Sequence, residues 1–358
     1  MFALLSTLTS ASVDDYCGHH GPIDLEEKTI AGFKLDAVQI VFRHGARTSL
    51  QDIACFGDSA DYQCPQESTF SLTGDARGAI LKRFELSCER GQLLPGAREQ
   101  ISRLAKWIQN TYPDKVSNHT ELTFRSTDQQ RTLASMYHLK SKLFPGLSNL
   151  EVAVSDYSDD ALAGNRIDEE ISVLIEEYAS SQAHLDVIGS RQYRECQDLW
   201  EKTIKTKFTP YAMDCLASSY CADVPLPRGL KYPKELLECV FKTELDDRKV
   251  YFGKTDSTFK QKALKLASMR IQPVIDEIDS KLRSGKSGFL AAHDASIVLI
   301  LQGLGGLWDG VWPKYAELVT FERHVNARGD KALLRIVRNG IPITTQPFDK
   351  FENDLLLA

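Results

Sequence analysis

The sequence lacks several things at once, and each absence removes a class of function. It has no surplus of basic residues: 43 Lys and Arg stand against 49 Asp and Glu, for a formal net charge of -6. Nothing is therefore available to neutralise a nucleic-acid backbone, and no nucleic-acid partner is expected. It has no apolar run of the roughly 20 residues that a bilayer-spanning helix needs, so no membrane span is expected. No two of its eight cysteines have C-x-x-C spacing, and His19-His20 is followed by no cluster of acidic or His ligands at helical spacing. Neither a zinc ribbon nor a helical metal site is written in the chain, and no metal or cofactor is implied. There is no internal repeat and no low-complexity tract. What remains is an ordinary globular balance, 42% apolar and 26% charged over 358 residues, enough for one large domain or two ordinary ones. An acidic protein can still bind a small anion, because a few arginines in one cleft make a local positive field.

The cysteines (17, 55, 64, 88, 196, 215, 221 and 239) are even in number. They follow a short apolar run, Met1 to Ala11, that ends in small residues and turns polar at Ser12. Residues 1–11 thus read as a signal peptide cut after Ala11, with disulfides expected in a secreted or lumenal compartment. The short separations Cys55/Cys64 and Cys215/Cys221 are candidates for local loops. Asn118-His119-Thr120 is a glycosylation sequon in a polar turn.

Along the chain, residues 36–42 form an apolar, β-branched run suited to a buried strand. Residues 49–90 show no period and are rich in turn formers, as a loop-rich excursion would be. Pro95-Gly96 opens a helical pattern closed by Pro113, and residues 121–124 make a second strand. Ser126 and Gln129 have capping-box spacing, which predicts a helix starting at Ser126, and residues 150–154 alternate as a third strand. Strand, helix and strand at this spacing predict a parallel sheet. Residues 156–256 hold helical pieces and no convincing strand. A long helix over 257–282, a buried strand over 288–292 and an apolar helix over 295–304 follow. The runs 318–321 and 333–337 then form a hairpin. The expected fold class is α/β: a mostly parallel sheet core flanked by helices (12–155 and 257–358), with a smaller, mainly helical cap inserted at 156–256.

Each of three predicted strands stops at a charged cluster: Arg43-His44-Gly45-Ala46-Arg47, Arg125-Ser126-Thr127-Asp128 and His293-Asp294. Carboxyl ends of parallel strands line the ligand crevice, so these segments can meet in one pocket. Arginine forks suit phosphate oxygens, and a neutral His can attack phosphorus to give a covalent intermediate. Flanking cations keep that His neutral in acid, and an Asp beside a phosphate dianion can hold a proton for the leaving alkoxide. Gly45 lets the backbone approach the phosphate. Asp128 reads as a helix N-terminal carboxylate. Trp308, Trp312 and Tyr315 are placed under the pocket rim.

These segments resemble the histidine acid phosphatases, the branch of the histidine phosphatase superfamily that includes prostatic and lysosomal acid phosphatases and phytases. The resemblance is carried by Phe42-Arg43-His44-Gly45-Ala46-Arg47, Gly91-Gln92-Leu93-Leu94-Pro95-Gly96, Phe124-Arg125-Ser126-Thr127-Asp128, Ala292-His293-Asp294 and Trp312-Pro313-Lys314-Tyr315-Ala316, in family order. Within the branch, the lysophosphatidic acid and 2-phosphoxylose phosphatases look most similar. The resemblance implies an acid phosphatase that hydrolyses small-molecule phosphomonoesters through a phosphohistidine. It implies His44 as nucleophile, Asp294 as proton donor, and Arg43, Arg47, Arg125 and His293 as phosphate ligands. Ser49 stands where the family motif R-H-G-x-R-x-P has proline, which points to an altered substrate-facing loop. Two rivals differ in class: a phosphomutase, which needs a held acceptor instead of water, and a secreted phosphate-ester-binding protein without turnover. The substrate is not encoded in any recognisable pattern, and a homodimer is left open.

Overall fold

The computed structural model describes residues 13–50, 72–73, 90–117, 119–146, 151–209, 211–224, 232–255 and 257–349. The signal-like segment 1–11, most of the 49–90 excursion with Cys55/Cys64, and Asn118 lie outside the described residues.

Eight strands among the described residues form one sheet in the order β2-β4-β3-β5-β1-β6-β7-β8. They are β1 Phe33–Arg43, β2 Leu72–Thr73, β3 Thr123–Ser126, β4 Val152–Val154, β5 Gly288–Ala292, β6 Leu318–Asn326, β7 Ala332–Arg338 and β8 Ile341–Pro347. From β2 to β1 every pairing is parallel. From β1 to β8 every pairing is antiparallel. The parallel half and the β6–β7 hairpin match the sequence expectation. β8 was not anticipated, because Ile341-Pro342-Ile343-Thr344-Thr345 carries a proline and is half exposed, as an edge strand can be.

The helices are α1 Val13–Tyr16, α2 Ala97–Thr111, α3 Pro113–Val116, α4 Gln130–Leu143, α5 Glu169–Ala179, α6 Gln182–Ile188, α7 Arg191–Ile204, α8 Ala212–Cys221, α9 Lys234–Tyr251, α10 Lys260–Arg283 and α11 Asp294–Gly303. The two faces of the sheet are covered separately. Val38, Ile40, Phe42, Phe124 and Phe289 pack with α2 and α4. Val41, Leu290, Val319 and Phe321 pack with α10 and α11. This is the three-layer arrangement that a strand buried on both sides requires.

Two local expectations fail. The capping box at Ser126 does not form: Ser126 is the last residue of β3, and α4 starts at Gln130 behind an extended Gln129. Ser126 pairs in register with Ala291 of β5, and that ladder extends the strand past the capping signal. Cys215 and Cys221 do not bond to each other. Cys221 bonds Cys17, Cα to Cα 5.2 Å, and Cys196 bonds Cys239 at 5.5 Å. Both Cys215 and Cys221 lie on α8, where six residues of helix separate Cα atoms by about 9 Å, too far for a disulfide. Cys17–Cys221 instead ties the segment after α1 to α8.

Candidate active site

The parallel half of the sheet sets three strand ends side by side. Arg43, the last residue of β1, pairs with Ala292, the last of β5, and Ser126 at the end of β3 pairs with Ala291. The ladder continues one step beyond the strands: His44 N donates to Ala292 O at 3.1 Å and Thr127 N to Ala291 O at 3.3 Å. His44 and His293 are thereby brought together, ring centroids 5.5 Å apart, and Thr127 Oγ1 lies 2.9 Å from His293 Nε2. His44 is 1% exposed and His293 5%. Both enter the crevice at the carboxyl end of the sheet.

The loop after His44 is fixed from both sides. Gly45 N donates to Ser135 Oγ at 3.1 Å and Ala46 N to Gln100 Oε1 at 2.7 Å. A Cβ on Gly45 would fall 2.5 Å from the Ala97 Cβ of α2, so glycine is demanded here by helix packing. His44 Nδ1 is 2.8 Å from Gly45 O. A carbonyl only accepts, so Nδ1 carries the proton and the lone pair is on Nε2.

Three buried arginines surround the histidines. Arg43 lies over the Tyr315 ring at 4.2 Å and the Tyr16 ring at 4.8 Å. Its Nη1 donates to Pro313 O at 2.6 Å, and its Nη2 to Tyr16 Oη and Asp294 Oδ2, both at 2.8 Å. Arg47 Nη2 donates to Asp214 Oδ1 on α8 at 2.6 Å. Asp214 Oδ2 also accepts from Leu50 N at 2.8 Å and Ser49 Oγ at 3.2 Å. Ser49, which stands where the motif has proline, thus fastens its loop to α8. The third is Arg131, in the first turn of α4, whose Nη2 lies 3.4 Å from His293 Nδ1. Burial and repulsion from Arg47 bring Arg131 down to about 10. Among the described residues the Nε groups of Arg43, Arg47 and Arg131 are all buried without an acceptor.

Arg125 is the one predicted residue that does not join this group. Its guanidinium pairs with Asp160 at 2.6 Å and with Glu277 of α10. None of its bonds reaches His44, Arg43, Arg47 or His293. The reason is strand alternation: Phe124 faces α2 and α4, so Arg125 faces the opposite side, where α10 waits with a carboxylate. Arg131 was missed because a helix begun at Ser126 hides it behind the first turn; begun at Gln130, it sits at the crevice.

Asp294 opens α11 and keeps a fifth of its side chain exposed. Its Oδ1 accepts from Ala295 N at 2.8 Å, and its Oδ2 from Arg43 and, at 3.1 Å, from Trp312 Nε1. Burial pushes its carboxyl up, but Arg43, Arg47 and Arg248 outweigh that and hold it well below the usual carboxylate range. His44 is pushed well below the ordinary histidine range by burial and, in the same direction, by Arg131, Arg43 and Arg47. Burial and Arg131 do the same to His293 against the pull of Asp294. Both rings are neutral in mild acid, in a cluster whose cations outnumber its carboxylates. Trp308, Trp312 and Tyr315 are all buried, with Tyr315 against Arg43 and Trp312 against Asp294. No helix of the described residues is long and apolar enough to cross a membrane. No three His, Cys, Asp or Glu among them are grouped to hold a metal ion.

The fold has close counterparts among solved structures. The phytase of Hafnia alvei superposes with a TM-score of 0.62 at 14% identity, covering 92% of this chain and 98% of that one. The phytase of Citrobacter braakii gives 0.62 at 12% identity, covering 91% and 98%. A multiple inositol polyphosphate phosphatase of Bifidobacterium longum, solved with inositol hexasulfate, gives 0.58 at 11%, covering 94% and 91%. A search of curated proteins finds no match. The family model described as histidine phosphatase superfamily, branch 2, matches residues 34–250, more than half of the sequence, and the chain belongs to that family.

Proposed function

We propose that this protein is a metal-independent acid phosphatase that hydrolyses phosphomonoesters through a phosphohistidine on His44. The observation that carries the reading is the state of His44. It is neutral in acid, its Nδ1–H is spent on Gly45 O, and its Nε2 lone pair is held among three arginines. That is the state a nitrogen nucleophile needs when its target carries two negative charges.

In the first step His44 Nε2 bonds to phosphorus as the ester P–O bond breaks. The electron pair of that bond stays on the leaving oxygen, which takes a proton from Asp294. The positive charge that develops on the ring is met by Gly45 O. In the second step water attacks phosphorus and passes a proton to the Asp294 carboxylate. The N–P bond breaks, and phosphate and neutral His44 are restored. Asp294 is ionised in the free site, so the substrate must supply the change. A phosphate dianion that engages Arg47, with Arg43 close behind, offsets the charges holding the carboxyl down, and its own charge raises the proton affinity further. Arg47, Arg131 and His293 are the phosphate ligands in this reading, with Arg43 behind them; Arg125 is not. Residues 156–256 act as a cap, since Asp214 reaches Arg47 from that segment. The disulfides Cys17–Cys221 and Cys196–Cys239 fit a secreted or lumenal enzyme.

The test is to trap the intermediate. Acid-sensitive, alkali-stable phosphate should appear on the protein after mixing with p-nitrophenyl phosphate and quenching, and should vanish in His44→Ala. Turnover with no label on His44 would overturn the mechanism, and no turnover at all would favour the binding-protein reading.

A further inference from the structure

Asp294 is reached from the helical segment as well as from the sheet. Arg248, in the last turn of α9, stands with Cζ 4.1 Å over the ring of Trp312. Trp312 is 6% exposed and directs its Nε1–H onto Asp294 Oδ2 at 3.1 Å. One turn back on α9, Glu244 accepts from Arg248 Nη2 at 3.3 Å and from Met213 N of α8 at 2.5 Å. A chain of contacts therefore runs Glu244–Arg248–Trp312–Asp294, joining three segments far apart in sequence.

We propose that Arg248 is a positioning residue for the reaction: stacked on Trp312, it aims the indole N–H at Asp294 and sets how readily that carboxyl gives up its proton. The proposal rests on the reading of Asp294 as proton donor. The lone pairs of the carboxyl support it. Oδ2 takes both Arg43 and Trp312, which fills it, whereas Oδ1 takes only Ala295 N–H. A carboxylate oxygen has two acceptor positions, so the proton must ride on Oδ1. Trp312 holds the carboxyl in the orientation that presents this oxygen. The indole is held by Phe252 and Trp308 as well, and Arg248 against its face completes that packing.

Charge acts in the same direction. The groups around Asp294 are Arg43 from β1, Arg47 from the following loop, Arg131 from α4, His293 beside it and Arg248 from α9. Those around Arg248 are Glu244 on its own helix, Tyr178 from α5 and Asp294. Burial raises Glu244 to about 7, which weakens its hold on the Arg248 charge in mild acid. Arg248 then lowers the proton affinity of Asp294 most where the enzyme is proposed to work.

The experiment follows glycerol release from β-glycerophosphate in single turnover, with enzyme in excess, across pH. The alkaline limb of that rate reports loss of the donor proton in the complex. Arg248→Met keeps bulk but removes charge, so the limb should move up by about half to one pH unit, as expected for one charge at this range. The plateau for β-glycerophosphate should fall several-fold while that for p-nitrophenyl phosphate stays put. Arg248→Lys should return the limb toward its original place. Trp312→Phe, which keeps an aromatic ring but removes the N–H together with part of the bulk, should shift it in the same direction and provides the reading if Arg248→Met does not fold. A folded Arg248→Met and a Trp312→Phe that both keep the wild-type limb would overturn the proposal. Asp294→Asn separates the two ideas: if it keeps the alkaline limb, Asp294 is not the donor and the underlying reading fails instead.

Discussion

Two buried polar clusters lie on the same sheet, and they are built on opposite plans. One surrounds Glu322 on β6, away from the carboxyl ends. Glu322 accepts from Tyr112 Oη at 2.6 Å, from His324 Nε2 at 2.7 Å and from Arg335 Nε at 2.6 Å. Arg335 gives its remaining donors to the carbonyls of Glu27 and Lys28. One carboxylate there organises one arginine, and the charges balance. The other cluster holds Arg43, Arg47 and Arg131 around two neutral histidines, with Asp294 and Asp214 as its carboxylates. It keeps unmet guanidinium donors, and it depresses every basic group whose charge it cannot balance. Burial alone does not mark a functional site, since both clusters are buried. An unbalanced charge of one sign, maintained against its desolvation cost, does.

The contrast can be broken most sharply at His44. His44→Ala should lower turnover of p-nitrophenyl phosphate by about 10³-fold or more while the thermal midpoint stays close to wild type. Arg131→Ala should cost about 10²-fold in kcat/KM and weaken vanadate inhibition in parallel. Arg125→Ala should change kcat/KM by less than about tenfold and instead lower the melting temperature, because it leaves Asp160 buried and unpaired. If the two arginines exchanged these outcomes, the site drawn here would be wrong.

Asp294→Asn should slow alkyl phosphates about 10²-fold more than p-nitrophenyl phosphate, whose leaving group needs no proton. Equal losses would leave Asp294 an orienting role only. The pH profile comes next. His44 lies well below the ordinary histidine range because of burial and the arginines, so the acid limb of kcat/KM should fall well below 6.5 once the substrate's own ionisation is accounted for. Removing a cation raises the proton affinity of the ring, so Arg131→Ala should move that limb upward, toward 6.5. The smallest effect on turnover is expected in the balanced cluster: Glu322→Gln should leave kcat near wild type while destabilising the fold by about 3 kcal/mol, from stranding Arg335.

Much of this could be read from the chain, for reasons that differ between elements. β1 and β5 are apolar runs ending in chemistry, and a strand announces itself through its own residues. That His44, His293 and Asp294 share a site follows once both strands are parallel, because the carboxyl ends then lie together. β3 misled because its local signals compete. Ser126 and Gln129 do form a capping pattern, but the ladder with β5 holds Ser126 in the strand and moves the helix start to Gln130. That shift of four residues exchanged Arg125 for Arg131 in the site.

The sequence by itself determined the strands β1 and β3 to β7, the Arg43-to-Arg47 loop and the residue types that phosphate chemistry requires. These depend on hydrophobic period and on groups adjacent along the chain. Only the tertiary structure decided which arginine faces the crevice and which carboxylates restrain it. It also decided which cysteine meets Cys221, and that Arg248 and Trp312 come to stand behind Asp294. Each of those is a contact between segments distant in sequence, settled by register, by the phase of a helix and by competition among charges. No local pattern records such a competition, because its outcome is fixed only when the competing groups share one interior.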